Sequence, residues 1–496
     1  MMYPSREMTI DDPAELATVL AGIVVDPDAS PRTYHRLQAL WARQRADDIE
    51  LSYLASGASG EPFHLWRLVV NPRVAVPSLS PLIPLAGSYE REVRDLYGVD
   101  FVGATDNRRL IFHDASAMQT PSVAQRESDL SEGFTIKSPD LQLLRFGPVR
   151  ADVVESARFA FSYAGEGIVH LETQLFYKHR GMEMRFEGLT PARGAILAER
   201  VSGVDSVAHA MAFALACEHA VGLEVPERAR ALRVMLAELE RIYNHLHYFG
   251  LLAKLTTLKV ADAEGHYLEE LAKQTNASIT GNRFLRGLIV PGGLRRDLDV
   301  NGLEVALAEL EDRVQSYLEV LNKTRSYLDR IETTGILETH VALAQGATGP
   351  IERASGLDRD LRRDHPYSGY ERYHFVVPDA RSGDARARAL IREYELFASF
   401  AILRQVLDHL DDGPVHTTRE VPSDQGETEG LGWVEGTRGT LIYAVYLENG
   451  RLSRVKIKEP SFSNWRVFPY TVDGTNMMDY AINEASFGLS LAGNDR

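Results

Sequence analysis

The sequence predicts an α+β protein in two parts, a small N-terminal α/β domain followed by a larger, mainly α-helical one. Short apolar runs of strand character lie within residues 10–112. Four long stretches beyond residue 200 place apolar side chains at helical spacing. A polar, uneven stretch, 113–142, separates them and reads as a linker. The expected domains are 1–112, the linker 113–142, and 143–496.

In the first domain, Ile49-Leu51-Tyr53 and the run 63–70 read as strands, and 77–85 as a connection punctuated by Pro and Ser. A helix follows, with Ser88 as its cap, Glu90 and Glu92 in its first turn and Gly98 closing it. Taken alone, it is a charged helix with a solvated face. After the linker, 146–150, then 160–163 and 167–175, suggest strands in a hairpin. Helices are then expected over 207–221, from Pro226 through Leu246, over 303–331 and over 385–410, which together imply a helical core bundle.

A chain of 496 residues is long enough for two or three domains. Its formal charge of −16 argues against a nucleic-acid partner, which needs clustered excess Lys and Arg. No apolar run reaches the roughly 18 to 20 residues of a membrane span, so a membrane link has to come through a partner. Residues 1–12 lack the apolar segment of a secretion signal, and a cytoplasmic chain is expected. Cys217 is the single cysteine. One thiol cannot hold an iron–sulfur cluster or a four-thiolate nickel site, and on an apolar helix its default role is a small buried hydrophobe.

Several motifs go further. Ser88-Tyr89-Glu90-Arg91-Glu92-Val93-Arg94-Asp95-Leu96-Tyr97-Gly98-Val99-Asp100-Phe101, with Arg108-Arg109-Leu110 after it, resembles the E-R-E-x-x-D-x-[FY]-G-[IV]-x-F-x-G signature of the smaller hydrophilic subunit of respiratory complex I. Glu199-Arg200-Val201-Ser202-Gly203-Val204-Asp205-Ser206-Val207-Ala208-His209 resembles the R-x-C-G-x-C-S-x-x-H loop of nickel–iron hydrogenase large subunits. The segment 486–496 resembles their terminal D-P-C-x-x-C segment. Phe146-Gly147-Pro148-Val149, His179-Arg180-Gly181-Met182-Glu183, Gly281-Asn282-Arg283, Gly349-Pro350-Ile351-Glu352 and Pro460-Ser461-Phe462-Ser463-Asn464 fit the same family in order. The chain thus resembles a fusion of the two complex I hydrophilic subunits, as in the large subunits of formate hydrogenlyase and hydrogenase-4. The resemblance adds a β-rich lead-in to the bundle and a C-terminal β segment over 430–458.

In the hydrogenases four thiolates hold nickel. The matching positions here are Ser202, Asp205, Ser490 and Gly493, so no metal is expected. The sequence ends at Arg496, where hydrogenase precursors carry a removable tail after the last cysteine motif. Complex I relatives use the vacated cavity for quinone, gripped by a hairpin His and a loop Tyr. Arg150 and Val154 stand where the hairpin histidines fall, and the loop has no Tyr. Asp205, Arg150, Asp152, Glu155 and His209 are the expected functional residues of a polar or proton-conducting cavity. A structural ion pair between Arg150 and one of the acids is the open alternative, and a hydrogen-bonded structural role is the alternative for His209. By resemblance Arg180 and His245 approach the iron–sulfur cluster of a partner subunit; the alternative is a surface Arg and a core His.

The resemblance implies a subunit of a membrane-associated, complex I-like or hydrogenase-related oxidoreductase, peripheral on the inner face of the membrane. It implies an iron–sulfur small subunit and membrane-arm subunits as partners, with quinone as a candidate ligand. A non-catalytic scaffold of an ion-translocating complex is the second reading, and a working hydrogenase the third.

Overall fold

Four strands, β1 (Arg6–Ile10), β2 (Arg36–Arg45), β3 (Asp48–Ser56) and β4 (His64–Val70), form the N-terminal sheet in the order β1-β4-β3-β2. β3 is antiparallel to β2 and β4, while β1 pairs with β4 in parallel. This is a computed structural model, and it describes residues 6–23, 36–113, 140–149, 155–417 and 426–496. β3 and β4 are the two runs expected as strands. β2 is hidden in the sequence because its polar side chains Arg36, Gln38 and Arg43 are buried together with its apolar ones, which erases the alternation.

The helix of the first domain, α1 (Ala86–Tyr97), corrects two expectations. It starts before Ser88, whose hydroxyl accepts from Arg466, and only the Gly98 closure holds, at φ 72°. Its carboxylates face inward, not toward solvent. Glu90 accepts from the Leu79 amide at 2.6 Å, Glu92 from Lys456 Nζ at 2.6 Å and Arg496 Nη2 at 2.9 Å, and Asp95 from the Leu110 and Ile111 amides at 2.8 Å. Burial of charge is tolerated here because each is paired or hydrogen-bonded.

The second domain opens with the antiparallel sheet β5 (Gln142–Phe146), β6 (Arg158–Ala164) and β7 (Gly167–Gln174). Its bundle comprises α2 (Ser206–Val221), α3 (Glu227–Leu255), α4 (Lys259–Thr280), α5 (Leu303–Lys323) and α6 (Ala385–Asp408). On α3, Leu232, Met235, Leu236 and Leu239 line the buried face, each contributing roughly 1.5–3 kcal/mol by burial. α6 starts on Asp384, whose carboxylate accepts from the Ala387 amide at 2.8 Å. The stretch expected as one helix over 303–331 is two. Thr324, with ψ 101°, ends α5, and a short helix Arg325–Ile331 follows. α4 is not legible as an apolar stripe because Asp262, Glu264 and Glu270 crowd its sequence.

Toward the C-terminus β8 (Thr428–Gly436), β9 (Gly439–Glu448) and β10 (Arg451–Lys458) form an antiparallel meander, followed by α7 (Pro460–Val467), α8 (Tyr480–Phe487) and α9 (Leu491–Asp495). β8 lies directly on α2. A Cβ at Gly430 would come within 2.2 Å of the Ala216 carbonyl oxygen, and one at Gly432 within 2.1 Å of that of Ala212. Glycines two apart on a strand share a face, and alanines four apart share a helix face, so the two backbones touch along one line. The N-terminal sheet packs on the same meander, with Trp41 Nε1 donating to Tyr446 Oη at 3.0 Å, and α1 packs on α7 through Tyr89 against Phe462. One hydrophobic core runs through both domains. Cys217 is fully buried in it, as expected of a small hydrophobe.

Candidate functional site

The loop before α2 and the segment carrying α9 meet. Ser202 Oγ donates to Ser490 Oγ at 3.5 Å. Ser490 caps α9 by accepting from the Gly493 amide at 3.0 Å, and its own amide donates to Ser461 Oγ at 3.1 Å. Arg180 holds the two segments together, donating from Nη2 to the carbonyl oxygens of Val201 at 2.6 Å and Ala492 at 2.8 Å. Arg286 braces the loop from the other side through the Ser206 hydroxyl at 2.9 Å and the Gly203 carbonyl at 3.1 Å.

Asp205 sits at the centre. Its Oδ2 meets Arg438 Nη1 at 2.8 Å and its Oδ1 accepts from the Thr437 hydroxyl, both from the turn between β8 and β9. Burial pushes the Asp205 carboxyl up, but Arg438 and Thr437 outweigh it and hold it below the usual carboxylate range. Glu240 of α3 accepts from the first amides of α2, Val207 at 2.8 Å and Ala208 at 2.9 Å. Burial, with the Asp205 charge added, nevertheless raises Glu240 to about 8. Ser202, Asp205, His209 and Glu240 are each at most 2% exposed, so the described part of this site is packed rather than open.

Glu459 is the third carboxylate. It caps α7 through the Ser461 amide at 2.5 Å and accepts from the Ser461 hydroxyl at 3.1 Å. Burial and the Asp205 charge raise it to about 7. Glu459 also borders Gly493, where an added Cβ would lie 2.5 Å from its Oε1. His209 bonds through Nδ1 to the Tyr443 hydroxyl at 2.7 Å, while its Nε2 has no hydrogen-bond partner among the described residues. Burial pushes the imidazole down to about 4, against the pull of Asp205.

Of the other expected residues, Arg150, Asp152 and Val154 lie outside the described residues. Glu155 is placed at the start of α9, accepting from the Leu491 amide at 2.6 Å and the Ala492 amide at 3.2 Å. It orders the C-terminal segment by the same device as Glu240 at α2. His245 is buried within the bundle, its Nε2 2.8 Å from Glu395 Oε2. Burial holds that imidazole at about 4, so it is neutral near pH 7. Arg180 and His245 therefore differ in setting: the first clamps two loops near the surface, the second belongs to an interior network with Arg241, Arg353 and Glu395. A cavity of about 170 Å³ lies apart from these residues, lined by Trp41, Leu65, His219 and Tyr446.

Three family models match the chain. These are the respiratory-chain NADH dehydrogenase 49 Kd subunit over 268–496, the 30 Kd subunit over 12–123, and nickel-dependent hydrogenase over 180–286. Formate hydrogenlyase subunit 5 of Escherichia coli (strain K12) is 30% identical, the match covering 81% of this chain and 74% of that protein. The chain belongs to the complex I and nickel–iron hydrogenase large-subunit family. The C/D polypeptide of NADH-quinone oxidoreductase from Cereibacter sphaeroides (strain KD131 / KCTC 12085) is likewise 30% identical, over 85% of this chain and 82% of that protein. Among solved structures, a chain of the membrane-bound sulfane sulfur reductase, an archaeal respiratory membrane complex, superposes with a TM-score of 0.67 at 25% identity. That match covers 72% of this chain and 99% of that one.

The complex I and hydrogenase large-subunit frame is thus present, and the residues that the motif resemblance matches to nickel ligands have a chemistry that does not fit nickel. Asp205 is engaged by a guanidinium and a hydroxyl, Ser202 and Ser490 offer neutral hydroxyls, and Gly493 leaves its space to Glu459. A soft metal site needs ionised, polarizable ligands, and the one ligand-position carboxylate here already has both oxygens engaged by Arg438 and Thr437. Sequence reading missed Glu240, Arg438, Tyr443 and Glu459. A local signal existed only for Glu459, which precedes Pro460-Ser461 as a helix cap would.

Proposed function

We propose that this chain is the hydrophilic core subunit of a membrane-associated, complex I-like redox complex whose former metal position handles protons instead. The observation that carries this reading is Glu459 occupying the space beside Gly493, with Asp205 and Glu240 near it. Two carboxyls raised to about 7 and 8 exchange protons in the physiological range, and a fixed Asp205–Arg438 pair sets the local field. Arg180 and the loop it clamps face an iron–sulfur cluster of a partner small subunit in this reading, and His209 Nε2, without a hydrogen-bond partner among the described residues, is a polar atom offered to a ligand such as a quinone headgroup. Tyr443, brought in from β9, supplies the tyrosine hydroxyl that the loop lacks. Among the described residues no helix is long and apolar enough to cross a membrane, so membrane-arm subunits provide the attachment.

The test is purification of the intact complex from membranes, with metal analysis and redox titration of its clusters with and without quinone. Iron without nickel, and quinone-dependent cluster oxidation weakened by Asp205→Ala, supports the proposal. Iron with no quinone response points to another acceptor. Stoichiometric nickel would sink it.

The scaffold reading has one observation of its own. Both Asp205 oxygens are satisfied within the chain, as a purely structural fastener requires. A complex without iron favours that reading.

A further inference from the structure

His245 points into the bundle, but His247, two residues on along α3, points outward toward α4. There it meets His266 and Glu269. One ligand-capable atom from each of these three side chains lies within 4.8 Å of the others. His247 Nδ1 is 3.0 Å from Glu269 Oε2, and the two imidazole rings meet edge to face with centroids 5.6 Å apart. We propose that His247, His266 and Glu269 form a binding site for a divalent transition cation of the zinc(II) class, separate from the Asp205, Glu240 and Glu459 site.

Three features make this more than a chance cluster. The first is helix spacing: His266 and Glu269 stand at i and i+3 on α4, hence on one face, as inward-facing ligands of helical metal sites do. The second is support behind a ligand. His266 Nδ1 bonds the Asp262 carbonyl oxygen and carboxylate, each at 2.9 Å, which fixes the ring and leaves Nε2 for a metal. Lys273 likewise holds Glu269 Oε1, leaving Oε2 on the side of His247.

The third is the close approach of the helices. A Cβ on Gly250 would lie 2.7 Å from His266 Nδ1, and one on Gly265 would lie 2.7 Å from the Gly250 Cα. Glycine at both positions lets α3 and α4 approach closely enough for imidazoles from each to reach one cation. The 3.0 Å separation of His247 Nδ1 and Glu269 Oε2 is close to the edge of a tetrahedron with bonds of about 2.0–2.1 Å. Two imidazoles and one carboxylate are a borderline-soft set that suits zinc better than calcium or magnesium. The His247 and His266 side chains are 47% and 41% exposed, so water completes the coordination and the cation has direct access.

The full chain is titrated with zinc(II) in competition with a chromogenic chelator, and cobalt(II) is added separately to read tetrahedral coordination from its visible spectrum. One equivalent is expected to bind, with affinity reduced tenfold or more in His247→Gln, His266→Gln and Gly250→Ala, and unchanged in His340→Gln, an exposed histidine elsewhere. On the unsubstituted protein, zinc(II) is expected to slow diethylpyrocarbonate modification of His247 and His266 but not of His340. This second measurement stands even if a variant misfolds. Binding that survives the His247→Gln/His266→Gln double substitution, absence of saturable zinc binding, or modification of His266 at the same rate with and without zinc overturns the proposal.

Discussion

Glu459 Oε1 stands 2.5 Å from the point where a side chain on Gly493 would begin. The two residues compete for one volume, and the carboxylate has it. Gly493→Ala is expected to lower stability by about 1–3 kcal/mol, the usual cost of forcing atoms into a filled interior. Glu459→Ala in the same chain should recover part of that loss. Denaturant midpoints of the wild type, both single variants and the double variant measure the coupling. Additive effects would mean that the two groups do not share this space.

Arg438 and Asp205 make a second such pair, with side chains 13% and 3% exposed. Arg438→Met leaves a buried carboxylate without its cation, and a loss of about 3–5 kcal/mol is expected. Asp205→Asn in the same background should restore much of it. Asp205 is held below its ordinary value of 3.8 in the fold. Its contribution is therefore present above that value and is lost as pH falls through the still lower folded value. The Arg438→Met variant should lose this acid-side dependence, which unfolding midpoints between pH 2 and pH 5 will show (about 2 to 5 spans the range of perturbed carboxylates).

Glu240 works in the opposite direction. Its folded value of about 8 exceeds the ordinary 4.5, so the folded chain keeps a proton that the unfolded chain has released. Stability tied to this group is complete below 4.5 and declines as pH rises toward 8. Glu240→Gln should flatten that decline. Infrared spectra near pH 7 should show a protonated carboxyl band in the wild type that weakens in Glu240→Gln. An unchanged band assigns the proton elsewhere.

Cys217 offers a simple probe of the core. It is fully buried in α2, and burial raises its thiol well above the ordinary value. An aromatic disulfide reagent should label it only at the rate of unfolding, so labelling and loss of ellipticity in denaturant should coincide. Fast labelling of native protein would contradict the packing of α2 against β8.

Much of the frame is legible in the sequence because it is written in short contiguous motifs: Ser202 and His209 in one segment, Ser490 and Gly493 in another, Glu90 to Gly98 in one helix and its closure. The bundle is legible from the spacing of Leu232, Leu236 and Leu239. What escapes is long-range. The carboxylates of α1 look solvent-facing until Lys456 and Arg496 arrive from the far end of the chain. Glu240 reads as one more acid on a mixed helix until the amides of Val207 and Ala208 are seen pointing at it. Tyr443 and Arg438 come from a hairpin with no local mark of function. His247 is overlooked beside His245 because helical position, rather than residue type, decides which of them faces out.

Arg180 grips its two segments by main-chain oxygens alone, those of Arg200, Val201 and Ala492. A grip on carbonyls is indifferent to the side chains those segments carry. The grip is thereby separate from the side chains at 202, 205, 490 and 493: a substitution there acts through its own contacts, as Gly493→Ala does against Glu459, and removes none of the three acceptors of Arg180. Such an arrangement keeps the fastening of the two segments distinct from the chemistry of the few interior side chains they carry.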